Sequence, residues 1–167
     1  MLERRQFCTF CLNGSFFGIE LARVQEVLRY QEMTPVPLAP RSVAGLINLR
    51  GQIVMALDMR RRLDFPPREP GVLPMNVVIR NQEGTPVSFL VDEIGEVLEV
   101  DESAHEPTPH TLSAVVRQLT PSAYKLSGCL MLVLDTEAAL NIGDRTTGEA
   151  DTRTGRPYAV REPKPRQ

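Results

Sequence analysis

The chain has 167 residues, 42% of them hydrophobic, enough to bury a core in one domain or in two small subdomains sharing one. Its formal net charge of -2 provides no strong field for nucleic acid or an anionic membrane. The longest strictly apolar run, residues 129–134, is too short for a membrane span, and Thr9 breaks the apolar stretch after the charged N-terminus. We therefore expect neither a secretory signal nor direct membrane insertion.

Short apolar or alternating runs, separated by turn residues, predict a mainly β protein. The predicted strands, in chain order, are residues 6–12, 16–19, 45–49, 52–57, 76–80, 87–91, 96–100, 123–126 and 129–134. Asn13-Gly14 between the first two strands is typical of a hairpin turn, and Glu83-Gly84 has the same role in the second half. Prolines fall in the loops between these runs, as expected for residues that cannot donate to a sheet.

A few short helices complete the prediction. Asp58 and Asp135 each follow an apolar strand, and their carboxylates can accept hydrogen bonds from the first free N–H groups of a helix. Another short helix is predicted to begin near Leu21, because Leu21, Val24 and Leu28 would share one helical face.

One pattern occurs twice, since residues 47–63 are matched without a gap by residues 124–140. Gly51 and Asp58 of the first copy correspond to Gly128 and Asp135 of the second, and the strand positions 53–57 and 130–134 are apolar in both. Such a repeat usually indicates one structural unit built twice. Together with a looser similarity of the preceding segments, it predicts two small barrels, residues 5–68 and 74–142, packed on one another.

No catalytic or metal-binding constellation is recognisable. Cys8 and Cys11 are spaced so that a strand would turn them to opposite faces, and no second pair completes a zinc set. His105 and His110 lie in a proline-containing loop without converging partners. An odd number of cysteines, three, suits the reducing cytoplasm. We predict a protein that is not an enzyme and that has no metal or cofactor.

Arg50 is the most informative polar residue, because its repeat equivalent is Ser127 and the turn therefore does not require an arginine. Its guanidinium is a rigid fork of donors suited to a carboxylate. The carboxylate that Arg50 binds can be that of Glu26 in the same chain or one from a partner. The two alternatives are equally open, and one does not exclude the other. The run Arg60, Arg61 and Arg62 is either a solvated basic face or part of a contact surface.

Several segments, in order along the chain, resemble the CheW family of adaptors, which join chemoreceptors to the histidine kinase CheA in bacterial chemotaxis. They are residues 17–19, 24–27, 34–37, 45–51, 57–60 and 90–92. The most specific is the Asn-Leu-Arg-Gly turn at 48–51, followed by a strand and Asp58-Met59-Arg60. The resemblance implies a CheW-like fold of two small five-stranded β-barrel subdomains on a shared hydrophobic core.

The resemblance also implies a non-catalytic scaffold in the cytoplasm, associated with receptor arrays at the inner membrane. The implied partners are the regulatory domain of CheA, the cytoplasmic tip of chemoreceptors in a groove between the barrels, and other copies of the adaptor in array rings. By motif match, the positions that carry over as partner contacts are Val24, Glu26, Gly45, Asn48, Arg50, Gly51 and Arg60. Ile53 and Val91 are expected in the core, with the groove as the alternative.

Residues 143–167 lie outside the family pattern, and their charges and few apolar residues predict a disordered tail.

An adaptor of a parallel chemosensory pathway is an alternative function. A different class, a β-barrel that binds single-stranded nucleic acid, would need a basic groove and stacking aromatics. The chain has no tryptophan, and its body is acidic once the tail is set aside, so we expect no nucleic acid as partner.

Overall fold

The computed structural model describes residues 3–142, so the predicted disordered tail at 143–167 lies outside the described residues. The strands are β1 Arg4–Leu12, β2 Ser15–Glu20, β3 Val24–Leu28, β4 Val43–Leu49, β5 Gln52–Asp58, β6 Met75–Arg80, β7 Pro86–Val91, β8 Glu93–Asp101, β9 His105–Pro107, β10 Ser122–Leu126 and β11 Cys129–Val133. The helices are α1 Met59–Arg62, α2 Ala114–Leu119 and α3 Thr136–Leu140, with 3₁₀ turns at Leu21–Arg23 and Glu102–Ala104. The prediction of a mainly β protein with a few short helices is confirmed.

The helix predicted at Leu21 is wrong beyond its first turn, since the chain continues as the edge strand β3. The backbone of β3 pairs with β6, with Val27 opposite Val77. The apolar residues Val24 and Leu28 fit one face of a helix, and they also fit the alternation of a strand. The pairing of β3 with β6 shows that this segment is a strand. The very short β9 and the helix α2 were not predicted, although Ser113 before α2 accepts from the Val116 N–H as a normal helix cap.

The strands form two sheets, one of six strands in the order β8-β1-β2-β11-β10-β9 and one of five in the order β3-β6-β7-β5-β4. β2 pairs with β11 in parallel, so the β1–β2 hairpin of the first half lies beside the β10–β11 hairpin of the second half. β7 pairs with β5 in parallel, so the β6–β7 hairpin of the second half lies beside the β4–β5 hairpin of the first half. The strands of residues 5–68 and 74–142 are therefore exchanged between the sheets rather than kept apart. Sequence similarity marks equivalent segments, but it does not say which of them pair.

The repeat itself is reproduced in three dimensions. In the first copy β4 and β5 form a hairpin closed at Leu49 and Gln52, and in the second β10 and β11 form one closed at Leu126 and Cys129. Asp58 then caps α1 by accepting from the N–H of Arg60 at 3.0 Å. The equivalent Asp135 caps α3 at 3.1 Å.

The main core lies between the two sheets and takes buried side chains from both. It includes Phe10, Leu12, Phe17, Ile19, Leu57, Val77, Ile79, Phe89, Val91 and Leu132. Val91 is therefore a core residue, as expected, whereas Ile53 is 61% exposed near the end of a hairpin. A shared core of this kind explains how two sheets, each too small to be stable alone, support one another.

Candidate functional site

The β4–β5 hairpin turn holds Arg50 in an unusual backbone conformation. Arg50 and Gly51 have φ values of +51° and +83°, as in the primed turns that match the twist of a hairpin. Asn48 braces the turn, because its Oδ1 accepts from the N–H of Gly51 at 2.9 Å. Within residues 3–142, the non-glycine residues with positive φ include Arg50 but not Ser127. An arginine in this region costs about 1 kcal/mol, so the turn alone does not explain it.

The guanidinium of Arg50 makes a two-pronged ion pair with Glu26 on β3. Nη2 lies 2.6 Å from Oε2, and Nη1 lies 3.3 Å from Oε1. Glu26 is only 18% exposed at its side chain, whereas that of Arg50 is 76% exposed. Glu26 thus holds the guanidinium from below, and the outer edge of Arg50 faces solvent. The pair also links β3 with the β4 hairpin, and these two strands are the opposite edges of the five-stranded sheet.

Beside this turn the hairpin exposes an apolar side chain. Ile53 is the cross-strand partner of Asn48, and both residues are exposed. The hairpin therefore displays Asn48, Arg50 and Ile53 together, and we call these three residues the hairpin surface. The core prediction for Ile53 is wrong, because β5 begins at the exposed turn and its buried residues start only after Ile53.

Two of the positions expected as contacts are packed rather than displayed. Gly45 is buried, and a Cβ there would lie 2.7 Å from the carbonyl oxygen of Thr34. That clearance allows Thr34 and Leu46 to exchange two hydrogen bonds of 2.8 Å, which bring residues 33–34 against β4. Val24 is half-buried against the main core. Neither position is therefore displayed as openly as Arg50.

Arg60, also expected as a partner contact, is engaged inside the chain. Its Nε lies 2.8 Å from Asp92 Oδ1, its Nη2 lies 2.7 Å from Asp92 Oδ2, and its Nη1 donates to the carbonyl of Pro66 at 2.9 Å. The hydrogen bond to Asp92 raises the pKa of the Arg60 guanidinium above its ordinary value. Asp92 also accepts from the N–H of Asn13 at 2.8 Å. The network therefore ties α1 to the turn between β1 and β2.

Arg68 completes this network, and sequence reasoning missed it. Its side chain is 9% exposed and bridges Asp58 Oδ1 at 3.0 Å and Asp92 Oδ1 at 2.9 Å. It also donates to the carbonyl of Leu90 at 3.2 Å. No local pattern marks Arg68, because its partners lie ten or more positions away and meet it only in the fold.

The basic run after Asp58 is not a uniform solvated face. Arg62 is buried and donates to the carbonyls of Ala139 and Ala138 at 2.9 Å each and to that of Asn141 at 3.2 Å. Arg61 is half-exposed and donates to the carbonyl of Arg41 at 3.3 Å. The three arginines thus have three different environments, and none of them forms a groove for a polyanion.

The groups most often used in metal binding, nucleophilic chemistry and base stacking can be located individually in the described part of the chain. Among residues 3–142, no cluster of three or more His, Cys, Asp or Glu side chains is placed to hold a metal ion. Burial raises the pKa of the Cys8 thiol and also that of Cys11, so neither is an activated nucleophile. Phe7, Phe10 and Tyr124 are fully buried and cannot serve as stacking platforms for bases. No described helix is long and apolar enough to cross a membrane.

The sequence model of the CheW-like domain matches residues 6–143, which include both copies of the repeat and the hairpin surface. The chain belongs to the CheW family. As a member of that family it is a non-catalytic chemotaxis scaffold.

Named relatives agree with this assignment to the CheW family. The chain is 26% identical over 141 residues to the chemotaxis protein CheW of Rhizobium meliloti (strain 1021), covering 84% of this chain and 90% of that protein. It is 28% identical over 132 residues to the CheW of Bacillus subtilis (strain 168), covering 79% of this chain and 84% of that one. The crystal structure of the scaffolding protein TtCheW from Thermoanaerobacter tengcongensis has the same fold, with a TM-score of 0.70 at 23% identity over 80% of this chain and 90% of that chain.

Proposed function

We propose that this CheW family member couples the cytoplasmic tip of chemoreceptors to the regulatory domain of CheA, and that the hairpin surface contacts one of these partners. The observation that carries the proposal is the placement of Arg50. It occupies a costly backbone conformation, is held by Glu26, and still has a side chain that is 76% exposed. Residues kept in such conformations are often retained for function.

The chemistry of the hairpin surface indicates what the partner must offer. The outer edge of the Arg50 guanidinium suits a carboxylate, since charge-assisted hydrogen bonds of this type are among the strongest available. Ile53 offers apolar area beside it. A partner element that carries a carboxylate next to an apolar side chain would satisfy both. In this scheme Asn48 and Gly51 stabilise the turn, Glu26 orients Arg50, and Gly45 and Val24 pack within the chain.

Arg60 has a different place in this proposal. Its donors are directed at Asp92 and Pro66 within the chain, so we assign it to the support of the fold rather than to direct contact. We further propose that the protein acts in the cytoplasm, at receptor arrays on the inner membrane. Contact with other copies of the chain in array rings is part of the same proposal.

The experiment is a calorimetric titration of the full chain with the regulatory domain of CheA, followed by a titration with a helical hairpin that represents the receptor tip. We expect saturable binding to both, and we expect Arg50→Ala to weaken at least one of them while leaving the circular dichroism spectrum unchanged. Arg41→Ala is the matched control, because Arg41 is an exposed arginine outside the hairpin surface. No binding of either partner by a folded sample would refute the coupling function.

Equal binding by the Arg50 variant and the wild type would refute the role of the hairpin surface but not the coupling function. A single-stranded oligonucleotide titrated at several salt concentrations tests the other functional class. Binding that weakens steeply with salt would favour a nucleic-acid function.

A further inference from the structure

Asn13 and Gly14 form the two-residue turn between β1 and β2. Their φ values are +50° and +78°, and Leu12 and Ser15 close the hairpin on either side. Both turn residues are exposed. A Cβ placed on Gly14 would meet no atom within 4 Å, so no other segment crowds this residue on that side. The turn combines an asparagine, an unhindered following nitrogen and free access for water.

The side chain of Asn13 differs from those of other asparagines in the described chain. Asn48 Oδ1 accepts from the N–H of Gly51, and Asn81 Oδ1 accepts from two backbone N–H groups. Asn76 is buried, and its Oδ1 accepts a hydrogen bond from the hydroxyl of Ser88. Asn13 makes a hydrogen bond through its backbone N–H, but its carboxamide makes none with residues 3–142. Asn13 is also followed directly by a glycine, unlike Asn48, Asn76, Asn81 and Asn141.

We propose that Asn13 is a site of spontaneous covalent modification by deamidation. The backbone nitrogen of Gly14 attacks Cγ of Asn13 and forms a C–N bond, the bond from Cγ to the side-chain nitrogen breaks, and ammonia leaves. Water then opens the resulting cyclic imide at one of its two carbonyls and leaves aspartate or isoaspartate. The net reaction converts an amide and water into a carboxylic acid and ammonia, so it needs no oxidant, metal or cofactor. Glycine favours the attack because it has no side chain to shield its nitrogen.

The modification would affect the Asp92 network, which joins the β1–β2 turn to Arg60 on α1 and to Arg68. The N–H of Asn13 donates to Asp92 Oδ2 at 2.8 Å, and the same carboxylate binds Arg60 and Arg68. Deamidation places a second negative charge beside Asp92, and the isoaspartate product also inserts a methylene into the backbone of the turn. Like charges in close proximity repel, so we expect this link to loosen as the modification accumulates.

The test is to incubate the full native chain at mildly alkaline pH and follow its tryptic peptides by chromatography and mass spectrometry. Cleavage after Arg5 and Arg23 isolates Asn13 in the peptide 6–23, while Asn48 and Asn81 fall in the peptides 42–50 and 81–117. We expect 6–23 to gain the mass of an amide-to-acid change and to split into aspartyl and isoaspartyl forms. We expect the other two peptides to stay unchanged over the same period.

Two results would overturn the proposal. One is conversion in the chemically denatured chain but not in the native chain, which would mean that the folded turn blocks the attack. The other is conversion of 42–50 or 81–117 at the same rate as 6–23. Asn13→Gly is the matched control, because glycine keeps the left-handed turn and removes the amide. The aged wild type should melt at a lower temperature than before incubation, whereas the aged variant should not change.

Discussion

The side chain of Arg62 donates to the carbonyl oxygen of Ala139 at 2.9 Å, and these two residues are equivalents in the repeat. Arg62 follows Asp58 on α1 by the same interval at which Ala139 follows Asp135 on α3. The two helices therefore meet across an approximate symmetry axis, and one arginine satisfies carbonyls at the C-terminal end of the opposite helix.

Replacing Arg62 by Ala should destabilise the protein. The carbonyls of Ala138, Ala139 and Asn141 would lose this donor in a buried or partly buried site, and we expect a loss of about 2–3 kcal/mol in the free energy of unfolding. Urea denaturation measures this directly. Arg61→Ala is the control, and its half-exposed side chain should cost about 0.5 kcal/mol or less. An equal loss in both variants would show that general charge, rather than the contact with α3, is responsible.

Replacing Arg50 by Asn should separate stability from binding. Asparagine tolerates the left-handed conformation, which offsets the loss of a largely exposed ion pair worth about 0–1 kcal/mol. We expect the midpoint of denaturation to stay close to that of the wild type while binding of CheA or receptor weakens. A loss of more than about 2 kcal/mol would instead mean that the Arg50–Glu26 pair is needed to hold the edges of the sheet together.

Leu57 and Ile53 lie on the same strand and should respond differently to truncation. Leu57 is fully buried in the main core, so Leu57→Ala is expected to cost about 2–5 kcal/mol. Ile53 is 61% exposed, so Ile53→Ala should cost about 1 kcal/mol or less but should weaken partner binding. Thermal melting and titration calorimetry measure the two effects. The reverse order of stability losses would mean that the strand is covered at its other end.

Asp92 should make the protein sensitive to acid. Burial by itself would raise the pKa of this carboxyl, but the hydrogen bond from Arg60 and the N–H of Asn13 outweigh burial and lower it below its ordinary value of 3.8. The charge of Arg68 acts in the same direction. A carboxyl with a lowered pKa stabilises the folded state above its unfolded pKa, and this stabilisation is lost as the pH falls through the folded pKa.

The matching variant is Asp92→Asn, followed by urea denaturation at a series of pH values. The variant should be less stable than the wild type at neutral pH, and the difference should narrow below about pH 4 as the carboxyl of the wild type becomes protonated. A difference that stays constant down to the acid limit would show that the carboxylate charge does not contribute to stability.

Much of the local structure was predictable from the sequence. The Asn13-Gly14 turn, the glycine of the Arg50-Gly51 turn, the caps at Asp58 and Asp135, and most strands follow from residue types that favour one backbone conformation. The errors occurred where two local patterns agree equally well with the same residues. At β3 the apolar spacing suited both a helix and a strand, and only pairing with β6 decided between them.

The repeated unit, its turns and its apolar strands can be read from the sequence, because they depend on interactions between residues close together in the chain. The pairing of β2 with β11 and of β7 with β5 is fixed only in the complete fold, since the backbone donors and acceptors of all strands are alike and do not specify a distant partner. The fold likewise determines which arginines are displayed. Arg50 stands at the tip of a hairpin, whereas Arg60, Arg62 and Arg68 find carboxylates and carbonyls that the fold brings to them.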